Sequence, residues 1–431
     1  MMEDINEVNE EEMDVEADQQ QEEPSNAGRK VYLPGQPLNE GEELVHDDSA
    51  YVMLHDGHAG DSCLSFDIIP DGASVFQDQY PITSYFAAGT QSHSANANKL
   101  YIMKVSNLHK TLKEDDDSED SDADSEDETK EEPIMKQSFI KHNGVINRVR
   151  VSILNEYKVY AAVWSETGKV SIYDIRPHLE HLDAGAKEPL KGKKGEKAFP
   201  VYMFDGHASE GYGIDWSSVE KGYLATGDCK KNIHIWTPSN ATWEVSKKSL
   251  SGHTASVEDL QWSPNEPKVL ASCSVDRSIR IWDIRQPDKS QLAVEKAHSS
   301  DVNVISWNKE VPLLVSGGDD GVINVWDLRQ FKKGGAVASL KHHRGPVTTV
   351  EWCPGESSVF ASGGEDNQIA LWDLGVERED ENEELKELPP QLLFIHLGQT
   401  DIKELHWHRQ YPGMIVSTAS SGFNFFKTIS V

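Results

Sequence analysis

Base is what this sequence is short of. Against 73 Asp and Glu it carries only 41 Lys and Arg, a formal net charge of −32 over 431 residues. A chain this acidic repels phosphate backbones, which argues against direct nucleic-acid binding and makes a Lys- and Arg-rich protein the natural partner. Cysteine is scarce too. Cys63, Cys229, Cys273 and Cys353 stand far apart, with neither zinc-ligand nor redox spacing, and read as small buried fillers in a reducing compartment. No apolar run reaches the roughly 18 residues of a membrane span. The acidic N-terminus lacks the pattern of a secretory signal. A cytosolic or nuclear protein is expected. Apolar residues make up 37%, below the roughly 45–50% of globular domains, so part of the chain is expected not to fold.

The acids that are present are unevenly placed. Residues 1–23 hold eleven acids and no Lys or Arg, and residues 114–128 hold eleven more and again no base. Residues 377–387 hold seven acids against Arg378 and Lys386. The rest of the chain is therefore close to neutral. Ser121 and Ser125 each have an acid three residues on, which suits an acidophilic kinase; each phosphate would add roughly −1.5 to −2. Lys187 to Lys197, with five Lys and two Glu, is a solvated loop or a short nuclear-import signal.

A repeat organises the second half. His253 leads to Trp262, Ser272, Asp276 and Trp282; His298 to Trp307, Ser316, Asp320 and Trp326; His343 to Trp352, Ser362, Asp366 and Trp372. His207, Thr226 and Trp236 form a fourth unit, whose Asp slot holds Lys230. Short alternating runs such as Val322 to Trp326, broken by turns, predict four-stranded blades. The recurring His, Ser, Asp and Trp can close a hydrogen-bonded chain across the strands, satisfying polar groups that burial would otherwise penalise. The spacing resembles the WD40 repeat.

Degenerate units extend the array. His142 leads to Tyr173-Asp174, with a loop expected near 177–199, and His396 leads through Trp407 to Phe426. Runs at Cys63 to Ile69, Ser84 to Ala88 and Leu100 to Val105 add a further blade. The fold expected is all-β: a seven-bladed WD40 β-propeller whose last blade takes its fourth strand from the N-terminal side. Asp47 or Asp48 caps an expected short helix from Ser49 through Leu54, with Tyr51 and Leu54 on one face. The organisation expected is a disordered acidic tail over 1–30, a helix-containing block over 31–62, and the propeller over 63–431, with acidic insertions at 114–132 and 377–388.

Catalysis finds little support. His342-His343 and His406-Trp407-His408 hint at metal, but most histidines fill the repeat's structural slot. Ser, His and Asp recur as blade hydrogen bonds, not as a hydrolytic triad. No cofactor is called for, and the chain reads as a non-enzymatic monomer.

With these residues in view, the chain resembles the glutamate-rich WD-repeat proteins of ribosome assembly, which are related to the retinoblastoma-binding and chromatin-assembly-factor histone chaperones. The resemblance covers about residues 30–431. It is carried by VYLPGQPLNEGEELVHDDSAYVMLHD from Val31, by CLSFDIIPDG and AAGTQ, by HASEGYGIDW and GHTASVEDLQW, and by PPQLLFIH after the acidic loop. It implies two sites for basic peptides. A side pocket would use Glu381, Glu383, Glu384, Glu387, Pro389, Pro390 and Leu393, with Tyr51 and Leu54 on the helix. The ring's top face would use Asn147, Glu210, Tyr212, Glu258, Asp301 and Asn303. Val145 and Thr348 stand where histone-binding relatives carry acidic or aromatic contacts, which weakens a histone-tail reading of that face.

The resemblance further implies a chaperone that escorts a newly made, basic large-subunit ribosomal protein, the third in its numbering, to the nucleolus. Two binding rivals stand beside it, and a plain scaffold without the chaperone role is a third. One is binding of core histones. The other is a substrate receptor for a cullin-type ubiquitin ligase, since Trp282-Asp283-Ile284-Arg285 and Trp326-Asp327-Leu328-Arg329 resemble the WDxR box, so that Arg285 and Arg329 would dock an adaptor.

Overall fold

The computed structural model describes residues 32, 45–71, 76–92, 94–112, 132–185, 199–240, 242–377 and 388–431. Every element lies within Asp48–Val431. The elements are seven antiparallel four-stranded sheets, each packed against the next to form a closed ring. Blade 1 holds Cys63–Ile69, Ile82–Thr90, Lys99–Leu108 and Ile134–Lys141. Blade 2 holds Ile146–Asn155, Lys158–Ser165, Val170–Asp174 and Tyr202–Phe204. Blade 3 holds Ile214–Trp216, Leu224–Gly227, Ile233–Ser239 and Thr242–Val245. Blade 4 holds Val257–Trp262, Val269–Ser274, Ile279–Asp283 and Leu292–Val294. Blade 5 holds Val302–Trp307, Leu313–Gly318, Val322–Asp327 and Ala338–Lys341. Blade 6 holds Val347–Trp352, Val359–Gly364, Ile369–Asp373 and Leu392–His396. Blade 7 holds Ile402–Trp407, Met414–Ala419 and Gly422–Thr428, with Tyr51–Gly57 as its outer strand.

The closing strand arrives from the N-terminal side, as expected, but from a segment read as helix. That helix is a single 3-10 turn, Asp48–Ala50, and Tyr51 onward is extended. Leu54 pairs with Phe426 and Asp56 with Asn424. A lone short helix is marginal in water. As a strand, the segment instead supplies the edge of blade 7 and buries Tyr51 and Met53. The Tyr51 hydroxyl meets His396 Nδ1 at 2.8 Å, and the His396 ring stacks on Phe426 at 4.1 Å.

Two kinds of hydrogen bond hold the ring. Within a blade, Trp282 Nε1 donates to Ser272 Oγ at 2.8 Å, Ser272 contacts His253 Nε2 at 2.7 Å, and His253 Nδ1 reaches Asp276 at 3.0 Å. Blades 5 and 6 repeat this through Ser316, His298 and Asp320, and through Ser362, His343 and Asp366. Blade 3 completes the pattern too. Asp228, two residues before the Lys230 slot, lies 3.1 Å from His207 Nδ1. Between blades, the innermost-strand Trp donates to a carbonyl of the preceding blade: Trp262 to Asp215, Trp352 to Ser306 and Trp407 to Glu351, each at 3.0 Å. A buried indole N–H without a partner would cost about 1–3 kcal/mol, so the spacing that places these partners is part of the fold's specification.

Blade 2 carries one helix among the described residues, α1 (Arg176–Asp183), where a loop was expected. Pro177 sits in its first turn, and Leu179 and Leu182, three apart, bury their side chains against blades 1 and 2. The segments 1–23, 114–128 and 187–197, and with them Ser121, Ser125, Glu381, Glu383, Glu384 and Glu387, lie outside the described residues.

Candidate functional site: the top face and the channel beneath it

Each innermost strand starts at the same end of the ring, so the residues that begin these strands form one face. Five of the six predicted top-face residues belong to blades 3 to 5, and the sixth, Asn147 of blade 2, touches blade 3. Asn147 Nδ2 donates to Glu210 Oε2 at 2.9 Å and to Gly211 O at 3.3 Å, fixing that carboxylate across the blade 2–blade 3 seam. Gly211 must be glycine, since a Cβ there would lie 2.1 Å from Gly227 O. Asn303 Nδ2 likewise donates to Asp319 Oδ1 at 2.8 Å and to Val347 O at 3.1 Å.

The carboxylates between these two amides sense one another. Burial raises the Glu258 carboxyl, and the charges of Asp301 and Asp319 add to the rise while Arg148 opposes it. Burial also raises Asp301, with Asp319 adding to the effect and Arg277 opposing it. The Tyr212 phenol is pushed up by burial and then by Glu210, Cys229 and Glu258. Together these residues make a crescent of negative charge over blades 3 to 5. Asp319 was missed in the sequence because it opens a turn after a second strand, away from the leading-His register used to pick the others. Blades 6 and 7 are different. Thr348 Oγ1 donates to Ile402 O at 2.9 Å, and Lys403 Nζ pairs with Asp401 at 2.5 Å.

Glu404, 3% exposed, lines a cavity between the innermost strands. Its Oε2 accepts Ser65 Oγ at 2.7 Å and Phe66 N at 2.8 Å. Its Oε1 accepts Arg148 at 2.9 Å and Arg150 at 2.7 Å. Burial disfavours this carboxylate, but Arg150 and Arg148 outweigh burial and hold it well below the usual carboxylate range. Burial likewise opposes charge on His406, yet Glu351, 2.8 Å away, and Glu404 raise it to about 10. The cavity here is about 310 Å³, lined by Asp67, Arg150, Asp215, Asp259, Glu351 and His406 among others. Asp215 is pushed up to about 7 by burial. The arrangement fits electrostatic recognition of a basic segment at the mouth. The histidines that hinted at metal are committed to structural bonds: His342 to Gln368 at 3.0 Å, His408 to Ser84 at 3.1 Å.

The side-pocket residues that are described come together differently from expectation. Tyr51, Leu54, Leu393 and Phe394 share one apolar cluster. Tyr51 is buried at 5% exposure, its ring 5.3 Å from Phe394. Pro389 and Pro390 form the turn into the outer strand of blade 6, with Pro389 O accepting Leu392 N at 3.0 Å. At the opposite end of the ring, Arg285 and Arg329 each form a two-pronged pair with the Asp of their own Trp-Asp, at 2.8 Å to Asp283 and at 2.9 and 2.8 Å to Asp327. Both guanidiniums remain exposed.

Comparison with known proteins agrees with this architecture. The family model of the histone-binding protein RBBP4 and its counterpart in the CAF1 complex matches residues 41–109, and the WD domain, G-beta repeat model matches 244–283, 289–327 and 334–373. The chain is 41% identical to "Ribosome assembly protein rrb1" of Schizosaccharomyces pombe, over 97% of this chain and 88% of that one. It is 42% identical to "Protein HEAT STRESS TOLERANT DWD 1" of Arabidopsis thaliana, over 93% and 92%. It is 42% identical to "Glutamate-rich WD repeat-containing protein 1" of Dictyostelium discoideum, over 93% and 85%. Among solved structures, the WD40 beta propeller domain of Doa1 superposes with a TM-score of 0.56 at 16% identity, covering 88% of this chain and 96% of that one, a likeness of fold alone.

Proposed function

The chain belongs to the family of glutamate-rich WD-repeat and ribosome assembly proteins, and from that premise we propose that it is a non-enzymatic escort for a basic large-subunit ribosomal protein, the third in its numbering, during ribosome biogenesis in the nucleus and nucleolus. The observation that carries this reading is the crescent of Glu210, Glu258, Asp301 and Asp319, set on a ring that is otherwise close to neutral. A free ribosomal protein exposes basic extensions meant for RNA. The crescent takes a defined basic segment, and the acidic tracts of the sequence screen the remaining charge. Ribosomal RNA, with its denser phosphate charge, then displaces both.

The test is a titration of the full-length protein with the purified ribosomal protein at several salt concentrations. Binding should weaken as salt rises, because exposed charges more than about 10 Å apart are screened at 0.1 M. The double charge reversal E258K/D301K should abolish it. Equal affinity for an unrelated protein of the same net charge would sink the reading.

Core histones are a second candidate client, favoured by the histone-binding family match over residues 41–109. Competition between histones and the ribosomal protein on one preparation separates the two: whichever displaces the other at equal concentration is the preferred client.

A further inference from the structure

The turns that join the second strand of a blade to its third lie at the same end of the ring as the crescent, which takes Asp319 from the turn of blade 5. In blades 2 to 6 this turn has one geometry. The residue at its fourth position donates its N–H to the carbonyl of the first: Gly168 to Ser165, Lys231 to Asp228, Arg277 to Ser274, Gly321 to Gly318 and Asn367 to Gly364, at 3.0 to 3.2 Å. The fourth position is left-handed in all five, with φ between 64° and 79°. Glycine adopts that conformation freely and asparagine tolerates it, whereas long side chains disfavour it. Blades 2, 5 and 6 follow the preference; blades 3 and 4 place Lys231 and Arg277 there instead. A disfavoured backbone kept at two neighbouring turns, each time under a base, calls for a reason beyond the fold.

Two more bases join them. Lys230 precedes Lys231 in its turn, and Lys296 stands beside Arg277, since Ala297 N donates to Arg277 O at 2.9 Å. All four bases are exposed, and none pairs with an acid among the described residues. The acids of the same turns are spoken for. Asp228 is held by His207 at 3.1 Å and Asp276 by His253 at 3.0 Å, and their side chains are 0% and 8% exposed. Glu295, next to Lys296, accepts a two-pronged pair from Arg280 at 2.9 and 3.1 Å. What blades 3 and 4 leave free at this rim is therefore basic, in a chain of net charge −32. The rim is also bonded to the crescent. Cys229, in the turn of blade 3, donates its N–H to Glu210 O at 2.9 Å, and Val275, in that of blade 4, donates to Ser256 O at 3.0 Å, two residues before Glu258. Arg277 is near enough to Asp301 to act on its charge. The crescent's carboxylates therefore repel a polyanion that approaches the rim, and the repulsion ends once a basic segment neutralises them.

We propose that Lys230, Lys231, Arg277 and Lys296 form a landing site for the phosphate backbone of RNA, and that the site opens when a basic client fills the crescent beside it. The trigger rests on the escort reading; the ligand follows from the rim alone. Three lysines and one arginine, on turns without a large exposed apolar side chain among the described residues, suit a repeating phosphate chain. A peptide would need an apolar anchor in a pocket. The empty protein repels RNA, in keeping with its net charge, and the loaded protein admits it. Landing precedes displacement: it lays the phosphate chain alongside the client, whose bases the RNA then takes over.

The test needs no client. The full-length protein and its crescent-neutral variant E258Q/D301N/D319N are titrated with a fluorescein-labelled single-stranded RNA of about 20 nucleotides and mixed sequence, between about 50 and 200 mM salt. Anisotropy should show weak binding to the unaltered protein and an affinity about tenfold or more higher for the variant. Adding K230Q/K231N/R277N/K296Q to that variant should remove the gain. It should also flatten the slope of log affinity against log salt by about 3, at roughly 0.7 per phosphate contact. The rim substitutions keep the fold, because asparagine already holds this turn position in blade 6. Made alone, they should leave the melting temperature and the crescent's binding of a basic client unchanged. No gain on neutralising the crescent, or a gain that survives loss of the rim bases, would overturn the proposal. So would equal binding of a polyglutamate peptide of the same charge, which would make the partner an acidic protein. Failure here leaves the escort reading intact, since that is judged by client titration. Failure of that reading removes the trigger but not the RNA binding of the crescent-neutral variant.

Discussion

Glu404 illustrates how much one residue decides. It joins blade 7 to Ser65 and Phe66 of blade 1 and to Arg148 and Arg150 of blade 2, using both oxygens twice. E404Q leaves two largely buried guanidiniums without the carboxylate they share, and should cost about 3–5 kcal/mol in urea unfolding. The linkage to pH has two limbs. Glu404 titrates well below its ordinary 4.5 in the folded protein, so its contribution is present above about 4.5 and is lost as pH falls below it. His406 is raised from 6.5 to about 10, so its contribution is complete below 6.5 and is lost as pH rises towards 10. H406N should therefore flatten the alkaline decline in melting temperature while leaving the acid limb steep. None of this was legible in sequence, where Arg148, Arg150, Glu404 and His406 are ordinary strand residues and Glu404 lies 256 positions from Arg148 and 339 from Ser65. The His, Ser, Asp and Trp of blades 4 to 6 were legible because a fixed spacing maps to a fixed geometry. Blade 3 escaped because Asp228 does the same work from two positions earlier.

The closing strand of blade 7 shows why an element can be misread while its role is foreseen. Counting strands demanded a donor from the N-terminal side, but Tyr51 and Leu54, three apart, fit a helical face equally well. What makes the segment a strand is Gly422–Thr428, its partner across the sheet, which local pattern cannot reveal. Tyr51 and Leu54 accordingly serve blade closure, packing with Leu393 and Phe394 of blade 6. H55P, which removes a ladder donor opposite Phe425, should strip hydrogen-exchange protection from Gly422–Thr428 first, with blades 3 to 5 unaffected. Y51F should be milder, about 1 kcal/mol, for the lost contact with His396. Helix α1 was missed for the opposite reason: its one-turn signal, Pro177 followed by Leu179 and Leu182, is too short to stand out in a polar stretch.

At the scale of the molecule, the proposed escort role gives different work to the crescent and to the acidic tracts of the sequence, and kinetics can separate them. Deleting 114–128 should slow association with a basic client by roughly tenfold at low salt and leave dissociation nearly unchanged, because long-range charge steers encounter. E258K/D301K should instead speed dissociation, because it removes contacts made in the complex. Stopped-flow measurement on the two variants decides between the roles. Ring closure has a consequence for biosynthesis. Asp56 and its partner Asn424 are 368 residues apart. At about 5–20 residues per second, Tyr51–Gly57 waits roughly 20–70 s after leaving the ribosome before blade 7 exists to receive it. For that interval Tyr51 and Met53, buried in the finished ring, stay exposed, and the unfinished chain is open to misassociation until its last blade is made.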